Sequence, residues 1–422
     1  MRYAEIIAIG SELLLGGRQD TNSLFLTEQL AALGIEVRFK SIVGDEVNDI
    51  VTTIRQAAQR VGLIVLTGGL GPTHDDVTRE AVAKVTDKAL RRHAGALAGM
   101  RRRLAAWGRT PTPAQLRQAW IPDGAKVLPN PIGSAPGFAM PWRKVWLVAL
   151  PGVPAEAEQM FGAGVPWGKS RRVAEPSGQI VRRLLHTFGL PETTVEERLT
   201  PVVRPYQDVR VGFLASPRGV TVLFTQVGAN SHPGGIDRLV RAARRVLGGH
   251  VYAEGSDTME QRIGCALEKH GWTLAVAESC TGGLIGHRLT DVPGSSAYVD
   301  RVAVCYSNRA KVELLGVSER LIKRYGAVSA QVAAAMARGI RRRSRVQIGL
   351  SVTGIAGPGG ATAQKPIGLV YVGLDVAVGN RTTRDCSSLT REFRFHGPRE
   401  AIKLRASQAA LDTLRQWLEL NA

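Results

Sequence analysis

Short apolar, β-prone runs alternate with stretches of helical spacing along most of the chain. Residues 3–9 (Tyr3-Ala4-Glu5-Ile6-Ile7-Ala8-Ile9) read as a strand, and residues 21–33 as an amphipathic helix closed by Gly34. A strand over 35–43, a helix over 48–60 and a strand over 63–66 continue the pattern; the last is apolar throughout, as a strand buried on both faces is. Strands alternating with helices predict a parallel, doubly wound sheet whose ligands lie beyond the carboxyl ends of its strands. Residues 88–120 read as a helical excursion from it.

A polar, turn-rich stretch over 167–178 reads as a linker. Beyond it come a strand over 180–188, a short helix over 192–199, two strands over 209–213 and 220–225 placed to form a hairpin, and a basic helix over 236–247. Two helices on one small sheet make an α+β connector. The last third returns to α/β. Trp272-Thr273-Leu274-Ala275-Val276 is a buried strand, Leu284 to Leu289 has helical spacing, an Ala-rich helix follows Ser329, and Val346 to Leu350 is a further strand. The pattern gives three domains, over 1–166, 167–252 and 253–422.

Composition narrows the class. The 422 residues, 44% apolar and 22% charged, are those of an ordinary globular protein. No run is long enough to span a bilayer and the N-terminus enters a strand directly, so no membrane is expected as a partner and the expected location is cytoplasmic. Four scattered cysteines without metal spacing fit a reducing compartment. The net charge of +19 is spread along the length. With aromatics at 5% and none interleaved with the Arg runs, specific nucleic-acid binding is not expected, although anionic substrates would be drawn to such a surface.

Candidate chemistry collects at strand ends. In the first domain strand one runs into Gly10-Ser11-Glu12, strand two into Gly44-Asp45-Glu46, and strand three into Thr67-Gly68-Gly69-Leu70-Gly71-Pro72-Thr73-His74-Asp75-Asp76. Gly68, Gly69 and Gly71 with Thr73 suit a phosphate cradle, and Asp75 with Asp76 suits a hard divalent cation beside it. One of these Asp residues is expected to cap the helix that follows.

In the last domain, Ala277-Glu278-Ser279-Cys280-Thr281-Gly282-Gly283 joins a strand to a helix, a junction whose free N–H groups suit an anion. Lys311 lies in the first turn of a helix capped by Ser307 or Asn308. There the helix dipole and burial both favour the neutral amine, which can deprotonate a serine or a water. Ser279 and Ser296 compete as nucleophile, Ser296 being nearer Tyr306 and Lys311 in sequence. Cys280 has no paired His and reads as a packed small residue.

Together with Tyr306-Ser307-Asn308-Arg309-Ala310-Lys311, Gly326-Ala327-Val328-Ser329, Ser351-Val352-Thr353-Gly354-Ile355-Ala356-Gly357-Pro358-Gly359-Gly360 and Lys365-Pro366-Ile367-Gly368, this stretch resembles the C-terminal domain of the CinA family. As a free-standing protein that domain is the PncC type of nicotinamide-nucleotide amidohydrolase. The first domain is similar to the MoaB/MogA molybdopterin-binding fold in the variant that forms the front half of CinA proteins. Asn130-Pro131-Ile132-Gly133-Ser134-Ala135-Pro136-Gly137-Phe138 and Leu150-Pro151-Gly152-Val153-Pro154-Ala155-Glu156 extend that likeness to about residue 165. The middle resembles the KH-type connector of full-length CinA proteins, without a Gly-x-x-Gly clamp between its helices, which leaves a structural spacer.

The resemblance implies deamidation of nicotinamide mononucleotide to nicotinate mononucleotide, needing no cofactor, in pyridine nucleotide recycling. It places a Ser/Tyr/Lys set on Ser296, Tyr306 and Lys311. Ser279, Thr281, Gly282 and Gly283 are left for the substrate's phosphate or oxyanion; Thr353, Gly354 and Gly357 for a second ligand loop; and Arg399 for phosphate. Gly360 is followed by Ala361-Thr362-Ala363-Gln364 where the family extends its glycine run. For the first domain the resemblance implies metal-dependent ADP-ribose pyrophosphatase activity, with a divalent ion, and potassium as a companion, handled by Asp45, Asp75, Asp76 and Glu156. A homodimer is also implied. The rival readings are a molybdopterin-binding protein and a DNA-associated competence protein without amidase activity.

Overall fold

The computed structural model describes residues 3–162, 180–227, 234–378 and 385–421. The linker expected over 167–178 lies outside the described residues. The chain divides into two compact units, residues 1–181 with 226–232 and residues 182–225 with 233–422.

The first unit is built on a six-stranded sheet in the order Glu36–Val43, Tyr3–Ile9, Leu63–Thr67, Val145–Leu150, Gly137–Trp142, Lys126–Leu128. The first four strands are parallel, as the alternating pattern requires. The last two run antiparallel, a departure from the all-parallel expectation. Its cause is local: only Arg143 and Lys144 separate Gly137–Trp142 from Val145–Leu150, and so short a link can only reverse the chain. Ile7, Ile9, Ile64 and Leu66 pack with Ile50 and Ile54 on one face, while Ala4, Ile6, Leu63 and Val65 pack with Leu26 and Leu30 on the other. The excursion over 88–120 holds the helix Ala94–Ala106, and a short antiparallel pair, Leu90–Arg92 with Trp120–Pro122, staples its base.

In the second unit, the connector is a four-stranded sheet in the order Val209–Ser216, Gly219–Val227, Ile180–Thr187, Val251–Glu254, with helices Glu192–Val203 and Gly235–Leu247. It is tied to the domain after it. Phe188 belongs to that domain's core, and the buried Arg415 Nη2 donates to the Gly249 carbonyl at 2.7 Å.

That last domain is a five-stranded sheet in the order Val299–Val304, Leu274–Glu278, Ile348–Gly354, Leu369–Val378, Asp385–Arg394. The first three strands are parallel and the last two antiparallel. Alternation along the central strand sorts the layers. Leu274 and Val276 face helices Met259–His270, Leu284–Thr290 and Arg399–Asn421, whereas Ala275 and Ala277 face helices Asn308–Leu315, Glu319–Tyr325 and Ala330–Ser344. The second face is made of small residues so that Ala330–Ser344 can lie close against it. A Cβ on Gly349 would fall 2.2 Å from the Ala337 carbonyl oxygen.

Candidate active site

All five residues of Leu274–Glu278 are buried, and the parallel strands on either side place their carboxyl ends beside its own. Three chemically distinct groups meet there. Ser279, the residue after that strand, donates its N–H to the Val352 carbonyl at 3.0 Å, which fixes its backbone. Cys305 and Tyr306 follow the end of Val299–Val304. Lys311 enters from the helix Asn308–Leu315, which Ser307 caps by accepting the Ala310 N–H at 3.0 Å.

The Lys311 side chain is 2% exposed and runs back to the strand end. Its Nζ donates to the Cys305 carbonyl at 2.9 Å, to the Tyr306 carbonyl at 3.3 Å and to Ser279 Oγ at 3.1 Å. The protonated form thus has an acceptor for each of its three protons but no carboxylate partner among the described residues. Burial pushes its pKa below the ordinary lysine value, which the neighbouring Cys305 and Cys280 thiols only partly offset. A lysine held in this way can accept the proton of the serine it touches.

Ser296 is elsewhere. It lies exposed in the turn Ser295–Ala297, ahead of the strand Val299–Val304 whose start pairs with Leu274. Tyr306 and Lys311 follow the other end of that strand, roughly 20 Å of extended chain away. Closeness in sequence misled here, because a strand separates its two ends. The serine that the fold brings to Lys311 is Ser279.

The Gly-rich turn also differs from the open anion site expected of it. Glu278, wholly buried, accepts the N–H groups of Gly283 at 3.0 Å, Ile285 at 3.2 Å and Gly286 at 2.8 Å. The helix Leu284–Thr290 therefore meets a carboxylate of its own chain at its N-terminus. A buried carboxylate needs such donors, and helix N–H groups supply them together with a favourable dipole. Gly282 and Gly283, at φ +64° and +97°, let the chain turn tightly enough to bring those donors round.

What remains open to a ligand lies beside this turn. Thr281, Gly282, Gly283, His287, Arg399 and Lys403 line a cavity of about 640 Å³, and the Thr281 hydroxyl is buried without a hydrogen-bond partner among the described residues. Arg399 forms its rim, Nη2 donating to Tyr306 Oη at 3.0 Å and Nη1 to the Gly357 carbonyl. Tyr306 is 61% exposed, so its hydroxyl stands at the mouth of the site rather than beside Lys311 Nζ. Thr353 serves the fold instead, its hydroxyl donating to the Ala327 carbonyl at 2.9 Å. Gly354 packs on Cys280, whose Sγ would be 3.1 Å from an added Cβ. Burial pushes the Cys280 thiol up to about 12, which leaves it an inert packed residue, as its sequence context suggested. Sequence reasoning missed Lys403 and His287. Lys403 was within reach, lying one helical turn from Arg399 on the same face.

The first unit has its own cavity, of about 470 Å³, at the carboxyl ends of its strands. Asp45, Gly68, Gly69, Gly71, Asp75, Asp76 and Glu156 all line it, with Arg18 added; Thr73 does not. Yet most of these groups are committed to the protein itself. Asp76 accepts the N–H groups of Gly71 at 2.7 Å and Thr73 at 2.9 Å, and also the Thr73 hydroxyl. It thus ties the loop, and neither it nor Asp75 caps the next helix, Thr78–Thr86, whose N-cap is Val77 with no side-chain bond. Asp45 accepts from the Ser11 N–H at 2.8 Å, and Glu156 from Asn130 Nδ2 at 2.6 Å.

The glycines of this loop are steric necessities. A Cβ on Gly68 would stand 2.1 Å from the Ile9 carbonyl oxygen, and one on Gly69 2.2 Å from Thr78 Oγ1. Beneath the loop the buried Arg79 donates to the Leu70 carbonyl at 2.7 Å and the Gly71 carbonyl at 3.0 Å. Among the described residues no three His, Cys, Asp or Glu side chains are grouped to share an ion. The four carboxylates therefore do not fit a ready-made divalent site.

Three family models match the chain in sequence: the "Probable molybdopterin binding domain" over residues 5–167, the "Damage-inducible protein CinA KH domain" over 182–253, and the "CinA C-terminal domain" over 256–418. The relatives match end to end. A CinA-like protein of Acidobacterium capsulatum is 42% identical over 428 residues, covering 98% of this chain and 99% of its own. A CinA-like protein of Thermosynechococcus vestitus is 38% identical over 438 residues, covering 99% of each. The chain belongs to the CinA family. Among solved structures, the competence/damage inducible protein CihA of Agrobacterium tumefaciens is 41% identical, with a TM-score of 0.35, covering 38% of this chain and 93% of its own. The three matched segments follow the order read from the motifs, with a MoaB/MogA-like domain, a KH-like connector and the CinA C-terminal domain in turn. No described helix is long and apolar enough to cross a membrane.

Proposed function

We propose that the C-terminal domain hydrolyses the carboxamide of nicotinamide mononucleotide, giving nicotinate mononucleotide and ammonia, with Ser279 as nucleophile and Lys311 as general base. The observation that carries this reading is the 3.1 Å contact between Ser279 Oγ and a buried Lys311 that has no carboxylate partner among the described residues. Neutral Lys311 takes the hydroxyl proton as Ser279 Oγ forms a bond to the amide carbon. The Lys311 ammonium returns that proton to the departing nitrogen, ammonia leaves, and an ester to Ser279 remains. Water, deprotonated by the same amine, then attacks the ester carbon and releases the acid and the serine.

Net positive charge in the cavity beside the Gly-rich turn, where two cations face the single carboxylate of Glu400, supports a phosphorylated substrate. Arg399 and Lys403 line the cavity next to the Gly-rich turn, and Arg399 also orients Tyr306. The test is ammonia release from nicotinamide mononucleotide by the wild type, Ser279→Ala, Lys311→Ala and Ser296→Ala. Loss in the first two variants with retention in the third supports the assignment. Loss in Ser296→Ala alone overturns the choice of serine, and an inactive, folded wild type overturns the reaction.

For the first unit, hydrolysis of ADP-ribose is the second reading, supported by a polar cavity at the strand ends that holds both Arg18 and the exposed Asp75. No step is assigned to a metal there, because the carboxylates do not converge. Release of AMP and ribose 5-phosphate with added divalent ion, with and without potassium, tests it; no release with any common ion overturns it.

A further inference from the structure

A second cavity in the C-terminal domain lies outside the reactive group, and every charged residue that lines it is an arginine. It has a volume of about 620 Å³, and Arg320, Arg324, Arg338, Arg342 and Arg343 surround it. Two helices supply them. Arg320 and Arg324 are one turn apart on Glu319–Tyr325, and Arg338 and Arg342 one turn apart on Ala330–Ser344. Like charges at this spacing weaken each helix. Arg320 also stands in the first turn of its helix, where the dipole disfavours a cation. Arg324, Arg342 and Arg343 lie in the last turns of their helices, where the dipole favours a cation, but Arg338 has no such support.

Only one of these five charges, that of Arg338, has a carboxylate partner among the described residues, and that carboxylate is shared. The side chains of Arg320 and Arg342 have neither an ion pair nor a hydrogen bond with any described residue. Arg324 lies over the Tyr325 ring at 5.2 Å, and Arg343 Nη1 reaches only a carbonyl, that of Glu313, at 2.7 Å. Arg338 stands 3.7 Å from Asp375, whose carboxylate is already held by Arg341 at 2.5 Å and by Ser388. The shape is equally specific. Gly339 brings its helix so close to the end of Asn308–Leu315 that a Cβ there would fall 2.1 Å from the Leu315 carbonyl oxygen. This contact forms the floor of a concavity rather than a flat basic surface.

We propose that this groove is a binding site for a compact polyphosphate anion, the phosphate chain of a nucleoside polyphosphate or of inorganic polyphosphate. Guanidinium forks match phosphate oxygens in pairs, several convergent forks call for several linked phosphates, and the volume is that of a small-ligand pocket rather than of a duplex track. The groove also touches the elements of the reactive site. Leu315 ends the helix that begins beside Lys311, and the Tyr325 carbonyl is held by Lys365, which also holds that of Val328. The site stands independently of the amidase reading.

The experiment is calorimetric titration of the full chain with inorganic tripolyphosphate, with ATP and with a random-sequence DNA duplex, at about 0.1 M salt, where long-range attraction is screened. Wild type is expected to bind tripolyphosphate, and the Arg320→Ala/Arg342→Ala double variant to bind it at least about tenfold more weakly at an unchanged melting temperature. Both side chains are exposed, so the fold does not depend on them. Tighter binding of ATP than of tripolyphosphate, lost in the same variant, identifies a nucleotide; equal binding identifies the phosphate chain alone. The proposal is overturned if wild type fails to bind tripolyphosphate, if the double variant binds it equally, or if the variant loses only DNA.

Discussion

The two cavities at strand ends are built from the same parts and differ in what those parts are left to do. In each, a fully buried strand of a parallel set runs into a glycine-containing loop and then a helix, with carboxylates and hydroxyls in the turn. In the first unit the carboxylates close the loop: Asp76 holds Gly71 and Thr73, and Asp45 holds Ser11. In the C-terminal domain one carboxylate, Glu278, takes that structural role, and the next residue, Ser279, is free to face Lys311. Polar residues at a strand end are thus not equivalent. Those that satisfy backbone donors are architecture, and the reactive group is the one whose partner is another titratable side chain.

Breaking the reactive pair should have the largest effect. Lys311→Ala or Ser279→Ala is expected to lower kcat for amide hydrolysis by about a thousandfold or more, read as ammonia release under substrate saturation. Activity near wild type in Lys311→Ala would assign the lysine to structure and erase the contrast between the two cavities. Removing the structural carboxylate comes next. Glu278→Ala leaves three helix N–H groups without an acceptor and should lower stability by about 3 kcal/mol, measured by denaturant unfolding. In the first unit Asp76→Ala should cost about 1–2 kcal/mol, while Asp75→Ala, at an exposed side chain, should leave stability within error. A larger loss for Asp75 than for Asp76 would reverse the roles given to them.

The pH dependence sharpens the same contrast. Lys311 is lowered in the folded state, so between its folded pKa and the ordinary value of 10.5 the unfolded chain binds the extra proton. Its contribution to stability therefore rises with pH across that window and is least favourable below it. Lys311→Met, which removes the buried amine, should raise the melting temperature relative to wild type at pH 6 and lose that advantage as pH climbs through the window. The activity of the wild type should rise with pH through the same folded pKa. Ser296→Ala, finally, should leave both activity and melting temperature within error.

Much of the architecture was legible because it follows from short-range rules. The period-2 and helical patterns located the strands Tyr3–Ile9, Leu63–Thr67 and Leu274–Glu278 and the helices after them. Side-chain chemistry narrowed the cap of the Lys311 helix to Ser307 or Asn308, and the structure has Ser307. The antiparallel pair Gly137–Trp142 and Val145–Leu150 was open to the same rules, because a two-residue link between apolar runs marks a hairpin, but the alternating strand–helix scheme masked it. At the site, Lys311 and Tyr306 are marked by motif, whereas the choice between Ser279 and Ser296 is not. That choice depends on which end of a strand each serine occupies and on which strands are neighbours.

The sequence by itself determined which residues are apolar, where the chain must turn, and which side chains are able to act as base, nucleophile or phosphate ligand. Those properties belong to single residues and to neighbours within a few positions. Only the tertiary structure decided that Ser279, 32 residues from Lys311, is the serine beside it, and that Glu278 fills the helix end that looked open to a phosphate. It also gathered five arginines from two helices around one groove. The physical reason is the same each time. Burial and partnership set what a polar group does, and both are fixed by strand order and packing that bring together residues far apart in sequence.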